Sequence, residues 1–309
     1  MDLIGYILKQ AVELKRLENG AMRGARASLQ PAFREFLLNL KGLPPRSART
    51  LASALLSSFR RKVGGLYETL GARLSEEIAA IARRQSALIA KALSKATGLD
   101  VKALDERALE KIIRSTKTAG RTLAQHLARQ QRLIERQIER QTKLSLQLGE
   151  SPAQLMRRLQ RYVFAPARRR AETLAQTHVN AIANRVQLLT MQKSGTSSRY
   201  RLVVTLDSRT SIICLSYAAE GKVYRYGDGP VPPFHPRCRT IISPVISGDD
   251  SEPPDAERWL KRQSKAVQDD ILGHSRAELW RSGRIDISEL VRRDRTVRTV
   301  AQLEKRSRR

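Results

Sequence analysis

Three residues with the side chains that zinc prefers lie within one short stretch of the chain. The two cysteines of the sequence are Cys214 and Cys238, and His235 stands three residues before the second of them. Structural zinc sites use thiolate and imidazole ligands and need four of them. His178 or Asp207 would have to supply the fourth. The alternative is a pair of reduced, packed cysteines with the histidine hydrogen-bonded to the backbone, so structural zinc is one of two interpretations and no other cofactor is indicated.

A carboxylate and two guanidinium groups belong to the same stretch. Asp207 precedes Arg209 by two residues, Arg239 follows the second cysteine, and Pro236 stiffens the chain between them. An Asp at the end of a predicted strand is expected to form a structural ion pair or to cap the next turn. Catalysis by these groups, as in a nuclease or a transferase, is the alternative. The sequence contains no Gly-rich phosphate loop, HExxH or nucleophile elbow, and we therefore expect no enzyme.

The net charge of +28 predicts a polyanionic partner. Residues 1–150 carry 28 Lys and Arg against 14 Asp and Glu, and residues 151–309 carry 30 against 16, so each half has a surplus of 14. DNA, RNA and an anionic membrane are the candidates, and a merely soluble basic surface is the alternative. No segment reaches the roughly 18 consecutive apolar residues of a membrane span. We expect double-stranded DNA, and no membrane, as the partner.

Two arginine-rich segments are candidate contacts with the DNA backbone, because guanidinium groups bind phosphate in a bidentate manner. The first surrounds the sequence Phe164-Ala165-Pro166 and comprises Arg157, Arg158, Arg161, Arg168, Arg169 and Arg170. The second is the basic C-terminal tail, with Arg292, Arg293, Arg306 and Arg308. The alternative for both is a solvated charged face.

Hydrophobic periodicity divides the chain into a helical part and a mixed part, and predicts an α+β fold. Residues 1–150 show apolar positions at helical spacing, interrupted at Gly64-Gly65. Residues 200–206 alternate with a period of two, and 222–226 and 240–246 are further short strands, which together predict a small antiparallel sheet. We accordingly divide the chain into a helical region (1–150), a compact module with the sheet and flanking helices (151–246), and an acidic linker, helices and the basic tail (247–309).

The segment 120–148 has a narrow apolar stripe on an otherwise Arg- and Gln-rich helix. Such a stripe is typical of a coiled-coil seam, through which the chain could oligomerise, and equally of an ordinary helix in a bundle. The N-terminus lacks the features of a secretory signal, and two cysteines make no disulfide framework. We therefore expect synthesis in a reducing cytoplasm.

Three ordered segments resemble the C-terminal domain of the phage Mu F-like minor head protein family. They are ETLAQTHVNAIANR, LDSRTSIICLSYAAEGKVY and PPFHPRCRTIISP, and the likeness covers about residues 171–303. The family typically shows R-T-E on a helix, then D-x-R-T-C-x-x-C, then P-P-x-H-P-x-C-R-C. This chain departs from that pattern at 176–178, where it has Gln-Thr-His, and at Ser211 and Thr240, which replace the first and the last cysteine.

The resemblance implies a virion structural protein. A family member would be made in the host cytoplasm and would act inside the capsid, near the portal, in head assembly, DNA packaging or DNA ejection. Its partners would be the portal protein, the shell or scaffold proteins and the packaged double-stranded DNA, and residues 1–150 would reach one of them. The alternatives are an enzyme built on the same module and a basic DNA-binding protein unconnected with virions.

Overall fold

The computed structural model describes residues 3–41, 48–246, 252–292 and 294–307, and it is mostly helical with one small sheet, which confirms the predicted α+β class. The helices are α1 (Leu3–Lys41), α2 (Ala48–Thr97), α3 (Glu106–Ser115), α4 (Leu123–Gln147), α5 (Pro152–Leu159), α6 (Ala165–Ser194), α7 (Ile212–Glu220), α8 (Ala256–Lys261), α9 (Lys265–Leu272), α10 (His274–Arg281) and α11 (Val300–Ser307). The strands are β1 (Arg199–Val203), β2 (Val223–Arg225) and β3 (Ile241–Pro244). A π-helical turn (Gln160–Phe164) joins α5 to α6, and a 3-10 turn (Ile287–Leu290) precedes α11.

One predicted helix boundary is wrong. Helix α2 continues through Gly64-Gly65 for 50 residues, whereas the sequence predicted an interruption there. Each glycine costs a helix only about 1 kcal/mol relative to alanine. The apolar residues on either side, including Val63 and Tyr67, are buried, and that burial outweighs the cost. The helix ends at Thr97, before Gly98, whose φ of +73° is left-handed and whose N–H bonds to the Ser94 carbonyl at 2.9 Å.

The chain forms two compact units, each assembled from separated parts of the sequence. We call the first the sheet unit (Met1–Leu14, Arg84–Asp105 and Ala183–Arg309) and the second the helical unit (Lys15–Arg83 and Glu106–Ile182). The division into 1–150, 151–246 and 247–309 describes sequence composition and stays a prediction.

Aromatic rings lie at the centre of the helical unit. Phe164 stacks on Phe33 with ring centroids 4.3 Å apart and meets the edge of Phe36 at 5.9 Å. Phe36 in turn packs against Phe59 at 4.0 Å. The four rings join α1 and α2 to the π-helical turn, and all four are buried. Large aromatic side chains bury more apolar area than any aliphatic residue, so this cluster is a main source of the unit's stability.

The apolar stripe of α4 faces the interior of the helical unit. Leu127, Ile134 and Ile138 are 6%, 1% and 1% exposed within the single chain. Their burial shows that the stripe belongs to an ordinary bundle helix, one of the two predicted alternatives. Oligomerisation through 120–148 would therefore have to use the polar faces of α4.

The sheet of the sheet unit has the strand order β2-β1-β3, and both pairings are antiparallel. Its core contains Tyr200 and Leu202 of β1 and Ile242 of β3, which pack against Ile89 and Leu93 of α2. A second core lies between α7 and the helices of the C-terminal part, with Leu260, Leu272 and Leu303 fully buried.

Two polar residues of α6 fix β3 in place. The Asn184 side chain accepts a hydrogen bond from the Ile242 N–H at 3.0 Å and donates one to the Thr240 carbonyl at 3.2 Å. One turn later, the Gln187 amide donates to the Ile242 carbonyl at 2.6 Å. These contacts satisfy backbone groups on the buried edge of β3 that no further strand pairs with in the part of the chain that the structure describes. These hydrogen bonds fix the position of β3 along the axis of α6.

Candidate metal centre

The three residues of zinc-ligand type come together in the sheet unit. The sulfurs of Cys214 and Cys238 are 3.6 Å apart, and His235 Nε2 lies 3.0 Å from the Cys214 sulfur. Cys214 belongs to the first turn of α7, whereas the other two flank a tight turn before β3. Both cysteines are buried against Val204 and Phe234 and are reduced. The structure thus brings together the three residues that the sequence singled out, and zinc binding by them stays a prediction.

A four-residue turn brings His235 and Cys238 to the same side of the chain. The Cys238 N–H bonds to the His235 carbonyl at 3.2 Å, with Pro236 and Arg237 between them. Arg237 has a φ of +60°, so the turn has the type II pattern of a proline followed by a left-handed residue. The ring of His235 is oriented by its Nδ1, which lies 2.8 Å from the Pro236 carbonyl oxygen. Because a carbonyl can only accept, Nδ1 carries the proton and Nε2 faces the sulfurs.

The two sulfurs and the imidazole form one coupled acid–base set. The hydrogen bond with Cys238 and burial both raise the pKa of Cys214, and the S–H donated in that bond lowers the pKa of Cys238. Burial is the largest single influence on the pKa of His235 and lowers it. The hydrogen bond to Cys238, the charge of Cys238 and the hydrogen bond to the Pro236 carbonyl together outweigh burial, and the net shift is upward. The hydrogen bond between the two sulfurs thus stabilises the thiol form of Cys214 and the thiolate form of Cys238.

Two hydroxyl groups, of Ser211 and Thr240, complete the surroundings of the cluster. Sequence reasoning identified neither of them as a site residue. Ser211 caps α7, accepting a bond from the Cys214 N–H at 3.2 Å, and its Oγ lies 2.8 Å from His235 Nε2. Thr240 donates its hydroxyl to the Cys214 sulfur at 3.1 Å. Their positions in the sequence could have indicated this, because Ser211 and Thr240 stand where the resembled family pattern has its first and last cysteine.

Neither residue considered as a fourth ligand joins the cluster. In the helical unit, His178 Nδ1 lies 3.0 Å from the Thr118 hydroxyl, and its ring packs edge-on against His126 at 5.5 Å. Burial and then the neighbouring His126 lower the pKa of His178 to about 4. Among the described residues, no further histidine, cysteine or carboxylate lies with the three. The fourth position would therefore fall to a hydroxyl or to solvent.

The carboxylate of Asp207 forms an ion pair with Arg239. The two side chains form a bidentate ion pair, with both guanidinium nitrogens at 2.5 Å from the carboxylate oxygens. Asp207 also accepts the Arg209 N–H at 2.8 Å and so shapes the turn after β1, while the Arg209 side chain is mostly exposed. The hydrogen bond from Arg239 lowers the pKa of Asp207 to about 2. This is the arrangement that a structural ion pair and turn cap require.

The first arginine segment lies in the helical unit, around the π-helical turn, and its members differ in availability. Arg158 is bound to Glu150, and Arg168 lies 3.9 Å from Glu172. The remaining members are exposed, and we call them the α5–α6 arginine set: Arg157, Arg161, Arg169 and Arg170. These four guanidinium groups can approach a phosphate without first breaking one of the ion pairs described above.

The second arginine segment lies in the sheet unit and surrounds a cavity of about 410 Å³. Its lining residues are Glu289, Arg292, Arg298, Gln302, Lys305 and Arg306. Arg306 is paired with Glu289 at 3.2 Å, and Arg292 is exposed. Arg293 and Arg308 lie outside the residues that the structure describes. The lining contains four positively charged side chains and one negatively charged side chain, so the cavity is a second site of positive potential.

The geometry defines an α+β protein: its sheet unit has a small sheet anchored on a long helix beside a Cys–His cluster, and its helical unit carries an exposed arginine set. Residues 136–243 match the family model described as Phage Mu protein F like protein, and this confirms the resemblance over that range. The matched range starts and ends earlier than the predicted 171–303. It contains the α5–α6 arginine set and the whole Cys–His cluster. The match indicates a role in phage head morphogenesis.

No curated protein and no solved structure matches the chain. No helix in the described ranges combines the length and apolarity that crossing a bilayer requires.

Proposed function

We propose that this chain is a phage minor head protein that acts inside the capsid, near the portal, and binds the packaged double-stranded DNA through its basic surface. The observation that carries the proposal is the match of residues 136–243 to the Mu F-like family. The net charge of +28 supports the choice of DNA as a partner, because neutralising phosphates releases condensed counterions and drives binding. The portal, the shell and the scaffold proteins are the partners that such a position would provide.

The α5–α6 arginine set is the surface that we assign to DNA. Its four guanidinium groups are exposed, belong to α5, the π-helical turn and α6, and fall within the family-matched range. Arginine contacts to phosphate position a protein on the duplex and carry no sequence information. We therefore expect binding without sequence preference and with a steep dependence on salt.

Binding, and not catalysis, is the proposed mode of action. The polar groups that a nuclease or transferase would use, Asp207 and Arg239, are bound to each other. Asp207→Ala and Arg239→Ala variants should therefore retain DNA binding, and a clean loss of turnover in a nuclease or transferase assay without loss of folding would contradict the proposal.

The location is tested by counting this chain against the portal subunit in purified, DNA-filled particles by quantitative mass spectrometry. We expect a reproducible low copy number, no greater than that of the portal subunit. Absence of the chain from mature particles would exclude a virion component and favour a basic DNA-binding protein of the host cytoplasm.

The DNA surface is tested by fluorescence anisotropy with a short DNA duplex over a range of salt concentrations. A variant with Arg157, Arg161, Arg169 and Arg170 all changed to Gln should lose affinity. The slope of log K against log salt should become shallower by about 3 to 4, because each phosphate contact contributes about 0.9.

A matched control removes the same charge elsewhere in the helical unit. Arg107, Lys111, Arg114 and Lys117 are exposed on or just after α3 and can all be changed to Gln. This control should keep the original slope. Equal losses in both variants would mean that net charge alone governs binding and that the α5–α6 arginine set is no dedicated surface.

A further inference from the structure

We propose that Cys214, His235 and Cys238 bind one zinc ion, which ties the N-terminus of α7 to the turn before β3, and that the residue at position 211 controls the fourth coordination position. The inference does not depend on the proposed function. It rests on the separations of the ligand atoms, the orientation of the imidazole, the identity of the neighbouring hydroxyls and the local charge.

The ligand atoms are close to a tetrahedral arrangement. All three lie within 4.8 Å of one another. With Zn–S and Zn–N bonds of about 2.3 and 2.0 Å, a tetrahedron places two sulfurs about 3.8 Å apart and a sulfur and a nitrogen about 3.5 Å apart. The sulfurs of Cys214 and Cys238 are separated by 3.6 Å, and the Cys214 sulfur and His235 Nε2 by 3.0 Å. An outward shift of the half-buried imidazole by about 0.5 Å would lengthen its separation from the Cys214 sulfur to the tetrahedral value.

The imidazole is already held as a metal ligand requires. Nδ1 of His235 donates to the Pro236 carbonyl at 2.8 Å, so the lone pair of the neutral ring is on Nε2, beside the sulfurs. Ligand histidines in metalloproteins almost always donate their second N–H in this way. The left-handed Arg237 completes the turn that presents Cys238 next to the ring. A non-glycine residue in this conformation is strained, and a metal bound at both ends of the turn would offset that strain.

The two neighbouring hydroxyls identify the fourth position. Ser211 and Thr240 replace the first and the last cysteine of the family pattern, and both contact the cluster, at 2.8 Å from His235 Nε2 and 3.1 Å from the Cys214 sulfur. All four cysteine positions of the pattern therefore converge on one point in the fold. This chain keeps two thiols and the imidazole there. Because hydroxyls are weaker zinc ligands than thiolates, the Ser211 hydroxyl or a water molecule would complete the coordination.

The local charge permits a cation in spite of the basic chain. Arg239 is near enough to both sulfurs to interact with them electrostatically. Its charge is neutralised by the bidentate pair with Asp207. Two thiolates and a neutral imidazole then balance the double charge of the ion, so the buried site would be neutral when loaded.

The test is a titration of the reduced, chelator-treated full-length protein with Co²⁺, followed by displacement with Zn²⁺. We expect saturation at about one ion per chain, with the thiolate-to-cobalt charge-transfer band and the visible d–d bands of a tetrahedral ion. Cys238→Ser should lose most of the charge-transfer band. His274→Gln, at an exposed histidine outside the cluster, should bind as the unchanged protein does.

Ser211→Cys is the decisive variant, because it adds a ligand to the cluster and its expected result is a gain in metal affinity. It should bind Zn²⁺ about tenfold or more tightly and show a stronger charge-transfer band, since a third thiolate enters the coordination. The proposal fails if the unchanged protein shows no tetrahedral cobalt spectrum while Ser211→Cys does, because the natural cluster would then be a packed thiol pair. Loss of both free thiols on air oxidation in the presence of Zn²⁺ would also overturn it, as it would show a disulfide in place of a metal.

Discussion

Rings and aliphatic side chains at helical spacing hold the helical unit together, whereas single polar side chains fix the sheet of the sheet unit. Phe164 gains its contacts from three other rings on two helices. Asn184 and Gln187 each satisfy particular backbone groups of β3. A helix that is held by a repeating apolar pattern tolerates a local irregularity, as α2 does at Gly64-Gly65. The small sheet instead depends on individual side chains that hydrogen-bond to particular backbone groups of β3. Each variant below tests one side of this contrast.

The largest effect is expected from Phe164→Ala, which opens a cavity among the rings of the helical unit. We expect the free energy of unfolding to fall by about 3 to 5 kcal/mol. Urea denaturation, with hydrogen exchange of the amides of α1 and α4 as the readout, would measure the change in the free energy of unfolding. Tyr162→Ala, at a half-exposed ring two residues away, is the control and should change stability little. Similar losses in both variants would contradict a stabilising role of the buried cluster.

Asn184→Ala tests the polar side of the contrast. It removes the side-chain hydrogen bonds to the Ile242 N–H and the Thr240 carbonyl in a buried site, which should cost about 2 to 4 kcal/mol. Hydrogen exchange should quicken for the amides of β1 and β3 and stay unchanged in α4. Gln192→Ala, at an exposed amide on the same helix, is the matched control. Unchanged exchange in β3 would show that side-chain bonds from α6 do not hold the sheet.

A buried histidine makes the helical unit sensitive to acid. Burial lowers the pKa of His178 to about 4, so below pH 6.5 the unfolded chain takes up a proton that the folded unit resists. The free energy of unfolding of the helical unit should therefore have its full value above pH 6.5 and fall by up to about 3 kcal/mol as the pH decreases to 4. Denaturation at a series of pH values would show the slope. His178→Gln should flatten it, and an unchanged slope would mean that another group is responsible.

The smallest effect is expected from the half-exposed ion pair of Asp207 and Arg239. A double-mutant cycle with Asp207→Asn and Arg239→Gln should give a coupling energy of about 1 kcal/mol. Because Arg239 lowers the pKa of Asp207 to about 2, this stabilisation is complete above about pH 4 and is lost as the pH falls through 2. A coupling near zero would show that hydrogen bonds to Asp207 from the turn suffice.

The sequence was sufficient for most helices and for the three strands, because their signals are periodic. Alternation over 200–206 predicted β1, and the two flanking runs predicted its neighbours. Helix α7 was not predicted, since Ile212 and Ile213 favour strands. Its caps were the missed signal: Ser211 accepts from the Cys214 N–H, and Gly221 ends the helix with a φ of +56°.

The Cys–His cluster was predicted as a set of residues, but its neighbours were not. Contacts such as those of Ser211 and Thr240 join segments more than 20 residues apart, and neither periodicity nor spacing encodes them. The anchoring of β3 had a weaker signal, because Asn184 and Gln187 continue a row of buried polar residues along α6, to which Thr177 and Asn180 also belong. The assembly of each unit from separated ranges leaves no trace in local composition.

The interleaving of the two units also sets the order in which they can form during synthesis. A ribosome delivers the chain from its N-terminus, and domains fold as their residues emerge. The helical unit is complete in sequence at Ile182, whereas the sheet unit requires Ala183–Arg309. Residues 84–105 are therefore synthesised long before the strands that they pack against, and they stay without those partners until Ala183–Arg309 has been made. Their apolar side chains, including Ile89 and Leu93, are the surface that a nascent-chain chaperone would have to protect during that interval.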